Sequence, residues 1–469
     1  MRRAALLAAL SLIATPVFAS QAFAAEPADT AAALRDKALT DTTAWTVLED
    51  LTTTVGPRLV GSPGMALAKD WAVKTFTDMG FVNVKVEEFA KPSWARGAES
   101  ASIVGPYPFQ LSILGLGRTI PTPKKGIEAE VVVFKSYAAL LAAPVGSLTG
   151  KIAVVNQPMT RTQDGQGYGA AGVARRSGAS EAARRGAVAF LTRSISTSDS
   201  RLPHTGLMTY AADAPKIPAA ALGVPDADLI ERLAARGPVR IKLSLASTVD
   251  PDSVAWNISG EIPGSGKPEE VIVIGGHLDS WDPGTGAVDD ASGIAITTAA
   301  ARLIGDLPKH PRRTIRVVMW GSEESGGSSE AYLAAHKDEL PNIVMASESD
   351  LGADRIYALM LPKDAMKAPA LAELPTVLAP LGIFISRDPA PFGGSDVEGL
   401  QAAGAPVFTL RQDASRYFDL HHSGDDTLDK VDPAQLNQNV AAWAALLYML
   451  ADSDADFRAK PAAEAPKAP

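Results

Sequence analysis

The stretch VIVIGGHLDSWD, residues 271–282, decides the fold. Its first six residues are apolar or glycine, and the run ends directly at His277. A short uninterrupted apolar run is typical of a strand buried on both faces, as in a parallel sheet covered by helices. His277 and Asp279 follow at the carboxyl end of this strand, where such sheets place their functional groups. The stretch therefore predicts a central strand that delivers a ligand or catalytic side chain.

The same pattern repeats along the C-terminal half of the chain. Further strands are predicted at residues 315–321, 343–349 and 406–410, and helices at residues 291–305, 328–339, 370–382 and 434–452. Alternation of apolar strands with helices is typical of an α/β domain. We predict a mostly parallel sheet sandwiched by helices.

The texture of the chain changes within this domain. Between residues 106 and 248, short β-like runs are joined by glycine-rich loops, which indicates a small β-rich domain inserted into the larger one. The predicted segments are a signal peptide (1–24), the N-terminal part of the catalytic domain (25–105), the insert (106–248), the rest of the catalytic domain (249–456) and a disordered tail (457–469).

The N-terminus has the form of a secretory leader. A basic start is followed by an apolar run and a small-x-small close at residues 22–24. The alternative is an uncleaved membrane anchor, but Pro16, Ser20 and Gln21 make the apolar stretch shorter than the roughly 20 residues that a spanning helix needs. We therefore expect a periplasmic or secreted protein without stable membrane insertion.

Composition excludes several classes of function. The 469-residue chain has a formal net charge of −9, so nucleic acid is not an expected partner. It contains no cysteine, which excludes disulfides, cysteine-ligated metals and a thiol nucleophile. Any metal ion must be held by His, Asp and Glu.

Metal-type ligands follow the predicted strands in clusters. The clusters are GGHLDSWD (275–282), GAVDDASG (286–293), GSEESGG (321–327), ASESD (346–350) and FDLHHSGDDT (418–427). Each has an ordinary structural reading by itself: Glu323 and Glu324 fit a solvated turn, and Asp289 and Asp290 fit a helix N-cap. Their recurrence at successive strand ends favours a metal centre.

Two divalent ions a few Å apart need a carboxylate between them and His and carboxylate ligands on each side. His277 and Asp350 can serve one ion, and Glu324 and His422 the other. Asp289 can bridge the two. Zinc is favoured for such a site, with cobalt or manganese as alternatives.

Two further carboxylates have expected roles beside the ligands. Glu323 is next to a ligand but is itself unligated, so it can act as the general base. Asp279 can accept the second ring N–H of His277, as neighbours of metal-bound histidines commonly do. Asp426 can support His422 in the same way.

The order His-x-Asp, Asp-Asp-x-Ser-Gly, Glu-Glu, Glu-Ser-Asp and His-His-Ser resembles the zinc exopeptidase family that includes bacterial aminopeptidases and the glutamate carboxypeptidases. The resemblance implies two Zn²⁺ ions, a protease-associated domain as the insert, and a cis peptide bond between Asp289 and Asp290. It also implies the ligand set above, with His422 preferred to His421 because Ser423 follows it. A homodimer is compatible with the resemblance.

The segment PFGGSDVEG, residues 391–399, is a candidate substrate loop. Its two glycines allow close backbone approach, and Ser395 and Asp396 follow them. Asp396 can pair with a free α-amino group. The alternative is a glycine turn in which Ser395 or Asp396 caps a helix.

We expect a dizinc exopeptidase that cleaves dipeptides or short peptides from a free N-terminus. The alternative within enzymes is a carboxypeptidase of the glutamate carboxypeptidase type, which needs a group to meet the substrate carboxylate, such as Arg411, Ser415 or Tyr417. A receptor-like relative without catalysis is the alternative outside enzymes, but its mark would be lost ligands, and every ligand type is present.

Overall fold

The computed structural model of the chain describes residues 26–387 and 391–458. The predicted signal peptide lies outside the described residues. The same holds for residues 459–469 of the predicted tail.

Eighteen strands lie in the described part of the chain. They are β1 (Val82–Ala90), β2 (Ser93–Ala95), β3 (Glu99–Gly105), β4 (Phe109–Leu111), β5 (Ile113–Gly115), β6 (Ile127–Phe134), β7 (Ile152–Val155), β8 (Ala189–Arg193), β9 (Ala219–Leu222), β10 (Arg240–Leu245), β11 (Thr248–Asp250), β12 (Val254–Ile262), β13 (Lys267–His277), β14 (Arg313–Trp320), β15 (Ile343–Glu348), β16 (Ile356–Met360), β17 (Phe384–Ile385) and β18 (Thr409–Gln412).

The α-helices of the same residues are α1 (Pro27–Ala38), α2 (Thr43–Asp50), α3 (Pro63–Asp78), α4 (Tyr137–Leu141), α5 (Gly167–Arg184), α6 (Val224–Ala234), α7 (Ser292–Gly305), α8 (Ser328–Ala335), α9 (Leu374–Leu378), α10 (Glu398–Ala402), α11 (Tyr417–Leu420) and α12 (Pro433–Asp452). Helix α1 was not predicted from the sequence.

The central sheet has the strand order β1-β12-β14-β13-β15. The expectation of a mostly parallel sheet is wrong, because the sheet is mixed: β13 is parallel to β14 and β15, whereas β12 is antiparallel to β1 and β14. Only residues 263–266 connect β12 to β13. This connection is too short for the crossover of a dozen or more residues that parallel strands require.

Helices cover both faces of the central sheet. Helices α7 and α12 pack on one face with α1, α2 and α3 in a large apolar core. On the other face, α8 and α10 contribute to a smaller core around Trp320 and Val397. Strand β13 is buried from Glu270 to His277, as the apolar run predicted. The ends of β13, β14 and β15 meet at one edge of the sheet.

A second sheet of eight strands is built from residues 99–245, which we call the insert. Its strand order is β4-β3-β10-β6-β7-β8-β9-β5, with separate apolar cores on its two faces. Strand β3 pairs with β10 in this sheet. The insert sheet therefore begins at Glu99, earlier than the predicted boundary at residue 106.

The chain leaves and re-enters the central domain at one place. Strand β2 precedes the insert and pairs antiparallel with β11, which follows it. We call this pair the neck. Its neighbours β1 and β12 also pair with each other, so the insert is an excursion between two adjacent strands.

A small third sheet, β17-β16-β18, lies beyond the central sheet. Within residues 26–387 and 391–458, no helix combines the length and the apolar character that a membrane crossing demands.

Gly293 lets helix α7 approach the end of β15 closely. A Cβ atom at this position would lie 1.8 Å from the Ser349 carbonyl oxygen. Gly293→Ala should therefore destabilise the protein by about 1–3 kcal/mol through overpacking, measured as a lower midpoint of urea unfolding.

Gly305→Ala is the matched control in the same helix. Its Cβ would meet the flexible end of Ile262 at 2.7 Å, and a helical alanine recovers about 1 kcal/mol. Equal midpoints for Gly293→Ala and the wild type would contradict the close approach.

Candidate metal centre and active site

The carboxyl edge of the central sheet gathers the side chains that the sequence singled out. His277 is the last residue of β13, Glu323 and Glu324 follow β14, and Asp350 follows β15. Asp289 lies in the turn Ala287–Ala291 that leads into α7, and its own backbone is not helical, with φ −130° and ψ 86°. His422 follows α11. The structure therefore brings these side chains together at one edge of the sheet.

The carboxylate of Asp289 lies between two imidazoles. Its Oδ1 is 3.0 Å from Nε2 of His277, and its Oδ2 is 3.2 Å from Nε2 of His422. Asp289 is 3% exposed. The peptide bond from Asp289 to Asp290 is cis, as the family resemblance implied.

Each imidazole has a second carboxylate beside it. Asp350 Oδ1 is 3.5 Å from Nε2 of His277, and Glu324 Oε2 is 3.0 Å from Nε2 of His422. Atoms that share a tetrahedral zinc ion at about 2.1 Å are about 3.4 Å apart. The two halves of the cluster therefore have the spacing of two ligand sets that share Asp289.

Unpaired buried oxygens support a cation at this place. Glu324 Oε1 and Asp289 Oδ2 are buried and receive no hydrogen bond within the described residues. Burial acts to raise the pKa of Asp289, but the imidazoles of His421 and His277 outweigh it and hold that pKa well below its usual range. Burial instead raises the pKa of Glu324 to about 8. A divalent cation between these two carboxylates would supply the positive charge that their unpaired oxygens lack.

Two neighbours of the cluster compete for ligand roles. His421 Nε2 is 3.6 Å from Asp289 Oδ2, farther than His422, and its ring stacks on that of His422 at 3.4 Å. Asp290 uses its two oxygens to accept the main-chain N–H groups of His277 and Gly293, each at 3.0 Å. The geometry thus favours His422 over His421 and gives Asp290 a structural task.

Asp279 acts differently from the expectation. Its main-chain carbonyl, 2.8 Å away, accepts the Nδ1–H of His277, whereas its carboxylate is 3.7 Å from that nitrogen. The carboxylate instead accepts the Glu323 main-chain N–H at 2.9 Å. Asp279 is therefore a positioning residue that links a ligand to the expected base.

Asp426 does not support His422. Its carboxylate accepts the Val288 main-chain N–H at 2.6 Å and so orders the turn that carries Asp289. Trp281 is buried, and its indole N–H donates to Glu324 Oε2. Asp426 therefore acts on the turn of Asp289 and not on His422, and Trp281 contacts Glu324.

The substrate-loop candidates lie beside the cluster. Glu348 accepts the main-chain N–H groups of Ser395 and Asp396, each at 2.6 Å, and fixes this loop. Asp396 is 2% exposed; Ser328 donates to its Oδ1, and its Oδ2 has no partner within the described residues. Neither residue caps α10, whose N-cap is Val397.

A cavity of about 400 Å³ opens over the cluster, lined by Asp289, Glu323, Glu324, Asp350, His421, His422, Ser395, Phe392, Leu351, Tyr417 and Phe418 from the central domain and by Asp164, Gly165, Tyr168, Arg175 and Leu207 from the insert. Arg175 is 4% exposed and donates to Tyr168 Oη at 2.5 Å and to the Thr205 carbonyl at 3.2 Å. No carboxylate of the described residues pairs with it. Sequence reasoning missed this cation because nothing local marks it.

The three candidates for binding a substrate carboxylate, Arg411, Ser415 and Tyr417, lie in different places. Tyr417 lines the same cavity, with its hydroxyl 3.5 Å from Asp350 Oδ1. Arg411 lines an adjoining cavity of about 290 Å³ with Glu348 and Phe392. Ser415 instead offers its carbonyl to Arg161.

Arg58 is buried beneath the cluster. It donates to the carbonyls of Leu278 and Thr285, both at 2.6 Å, and of Gly286 at 3.0 Å. Burial lowers its pKa to about 10, so it remains charged at neutral pH. Arg58 ties the strand end after His277 to the turn before Asp289.

Comparison with known proteins identifies the family of the chain. Residues 257–447 match the model of peptidase family M28. Carboxypeptidase Q of Xenopus laevis is 38% identical over 403 residues, which cover 86% of this chain and 84% of that protein. The chain belongs to peptidase family M28.

Solved structures show the same relationship. The structure of a peptidase M28 precursor from Shewanella amazonensis SB2B has a TM-score of 0.90 and 41% identity, and it covers 93% of this chain and 99% of that one. BSAP, a zinc aminopeptidase from Bacillus subtilis, has a TM-score of 0.62 at 18% identity, with 89% of this chain and 97% of that chain covered. The latter likeness shows a shared fold. The M28 chain is thus a hydrolase of the metallopeptidase class.

Removal of the Arg58 guanidinium should weaken the M28 fold at the ligand turn. Arg58→Met leaves four main-chain carbonyls without their donor, those of Leu278, Thr285 and Gly286 and that of Gly56 at 2.9 Å. The loss should cost about 3 kcal/mol, measured by urea unfolding of the metal-free protein.

Arg355→Met is the control, because Arg355 is exposed and donates to a single carbonyl, that of Leu381 at 3.2 Å. The free energy of unfolding of Arg355→Met should stay within about 0.5 kcal/mol of the wild-type value. If the Arg58→Met protein were as stable as this control, Arg58 would not hold the strand end and the turn together.

Proposed function

We propose that the protein is a dizinc exopeptidase that cleaves dipeptides or short peptides from a free N-terminus. The observation that carries the proposal is the placement of Asp289 between His277 and His422, each with a second carboxylate beside it. This is the ligand arrangement that two adjacent divalent ions need.

One ion would be held by His277 and Asp350, the other by Glu324 and His422, with Asp289 shared. When bound, the ions supply Lewis acidity that polarises the scissile carbonyl and lowers the pKa of water toward neutrality. Zinc suits His and carboxylate ligands of this kind.

Glu323 serves as the general base. It lines the cavity beside the ligands, and Asp279 holds its main chain. Burial raises the pKa of the Glu323 carboxyl above its usual range, with Asp350 and Asp289 adding to the effect. A base with a raised pKa can take a proton from water and return it to the leaving amine.

Asp396 and Ser395 recognise the substrate N-terminus. Asp396 has a buried, unpartnered oxygen and shares a cavity of about 420 Å³ with Glu323 and Ser395. Burial and the neighbouring Glu348 raise the pKa of Asp396 well above its usual range. An ammonium group would supply the charge and hydrogen bonds that this carboxylate lacks.

The remaining parts of the proposal concern the whole chain. The insert is a protease-associated domain, the leader directs export to the periplasm or medium, and the enzyme works as a monomer or homodimer without inserting into a membrane. The leader pattern and the separate insert sheet support these assignments.

Glu323→Gln should retain zinc and lose about 10²–10⁴-fold in turnover, since the amide cannot accept the proton. Zinc content and kcat are both measured. Glu373→Gln, an exposed change outside the cavities described above, is the control. Near-normal turnover of Glu323→Gln would remove the residue from the base role, and lost zinc would make it a ligand.

Arg175 supports the second candidate function, a carboxypeptidase. Its buried guanidinium lines the cavity without a carboxylate partner in the described residues, so it can accept the C-terminal carboxylate of a substrate. The two candidates differ in which end of the peptide must be free.

A panel of Ala-Leu, N-acetyl-Ala-Leu and Ala-Leu amide distinguishes them on the zinc-loaded enzyme. We expect cleavage of both peptides with a free amine and an about tenfold higher KM in Asp396→Asn, the loss of roughly 1.4 kcal/mol. Cleavage of the acetylated peptide but not the amide, with a raised KM in Arg175→Met, would overturn the N-terminal assignment in favour of the carboxypeptidase.

A further inference from the structure

The insert grips the segment that carries His422. We call residues 413–422 the ligand segment. Its His422 carbonyl accepts the Thr205 main-chain N–H at 3.0 Å, and its His421 carbonyl accepts from His204 Nδ1 at 2.6 Å. Ser196 Oγ donates to the Phe418 carbonyl at 2.9 Å. The ligand segment is thus bonded along its main chain to one stretch of the insert.

A side-chain contact reinforces this grip. Asp419, in the ligand segment, accepts two hydrogen bonds from the Arg161 guanidinium at 2.7 and 2.9 Å. Thr197 Oγ1 donates to the same carboxylate at 2.7 Å. Arg161 and Thr197 both belong to the insert, so this paired carboxylate fixes the segment from a second direction.

The insert also orients the imidazole ring of His422. Its Nδ1 is 3.3 Å from the Thr205 carbonyl oxygen, which leaves Nε2 to face Glu324. His277 has the equivalent contact with the Asp279 carbonyl, but that acceptor lies within the central domain. Such acceptors select the tautomer that presents the opposite nitrogen to a metal. The two expected ligands therefore depend on different domains.

The backbone of His422 needs external support. Its φ is 63°, in the left-handed region that non-glycine residues rarely occupy. Conformations of this kind persist where surrounding contacts enforce them. Here the Thr205 N–H binds the His422 carbonyl, and the Thr205 carbonyl lies beside the His422 ring. The Arg175 guanidinium, also from the insert, is 3.5 Å from the same Nδ1.

We propose that the insert is a structural half of the metal centre, which holds the ligand segment so that His422 can bind the ion it shares with Glu324. The inference rests on the two-ion centre proposed above. It assigns the insert a task apart from substrate contact. It also predicts an asymmetry, because the carbonyl that orients His277 lies in the central domain. The ligand segment contacts that side weakly, through the Tyr417 hydroxyl 3.5 Å from Asp350 Oδ1.

Coupling of this kind is reciprocal. If insert contacts favour the ion on the His422 side, binding of that ion must favour the docked insert by the same free energy. Zinc should therefore slow hydrogen exchange of amides in residues 196–205, which include Thr205. The His277 side gives no reason for such protection.

Zinc affinity of the full-length protein tests the proposal. Chelator-competition titration with metal analysis gives both dissociation constants for the wild type, Arg161→Met and His204→Leu. We expect each variant to bind the ion on the His422 side about tenfold more weakly and to bind the other ion with unchanged affinity. A tenfold loss is the scale seen when a group that supports a metal ligand is removed. His204→Asn, which can still donate an N–H at the position of Nδ1, should recover most of the affinity.

Arg201→Met is the matched control. Arg201 pairs with Asp226 inside the insert at 2.8 Å and is 52% exposed, close to the 45% of Arg161, but does not contact the ligand segment. It should bind both ions as the wild type does. Urea unfolding of every metal-free variant separates loss of the fold from loss of affinity.

The results distinguish failure of the two-ion proposal from failure of this inference alone. A wild type that binds fewer than two zinc ions overturns the two-ion proposal and this inference with it. Two ions in the wild type with unchanged or equally weakened affinities in Arg161→Met and His204→Leu overturn the inference alone. If both variants fail to fold, hydrogen exchange of the wild type decides: equal exchange of residues 196–205 with and without zinc refutes the grip.

Discussion

One buried carboxylate organises this M28 peptidase. Asp289 reaches an imidazole with each of its oxygens, and a charge held so far from water is tolerable only among partners of opposite sign. The surrounding structure provides for this: Asp426 and Arg58 shape the turn before Asp289, and Asp290 ties the turn to β13. The central sheet matters to the site because its strands end at this point.

The clusters at strand ends could be predicted because their information is local. A buried strand such as β13 leaves an apolar run, and the ligand follows it immediately in the sequence. The relative directions of the strands were harder to predict, because the sequence of a strand does not identify its partner. Strand β12 resembles its neighbours in sequence but runs antiparallel to β14. Helix α1 was not predicted because the residues that it buries against α12 are mainly small, Ala31 and Ala38 beside Leu34.

Residues that act through the main chain were beyond sequence reasoning. The Thr205 carbonyl and the Asp279 carbonyl orient imidazoles. Because every residue has a main-chain carbonyl, the residue type gives no sign of this role. Arg58 and Glu348 likewise bind main-chain groups far away in sequence. His204 is 1% exposed, and its Nδ1–H donates to the His421 carbonyl in the ligand segment. Such roles depend on tertiary contacts that no spacing encodes.

The neck has a consequence for synthesis on the ribosome. Strand β1 is complete at Ala90, but its partner β12 begins only at Val254, after the whole insert. Domains generally fold as units while the chain emerges, so the insert can form its own cores while β1 still lacks a neighbour. Once folded, the insert holds its ends together at β2 and β11, which shortens the effective loop between β1 and β12 to a few residues and removes most of the entropy cost of closing it.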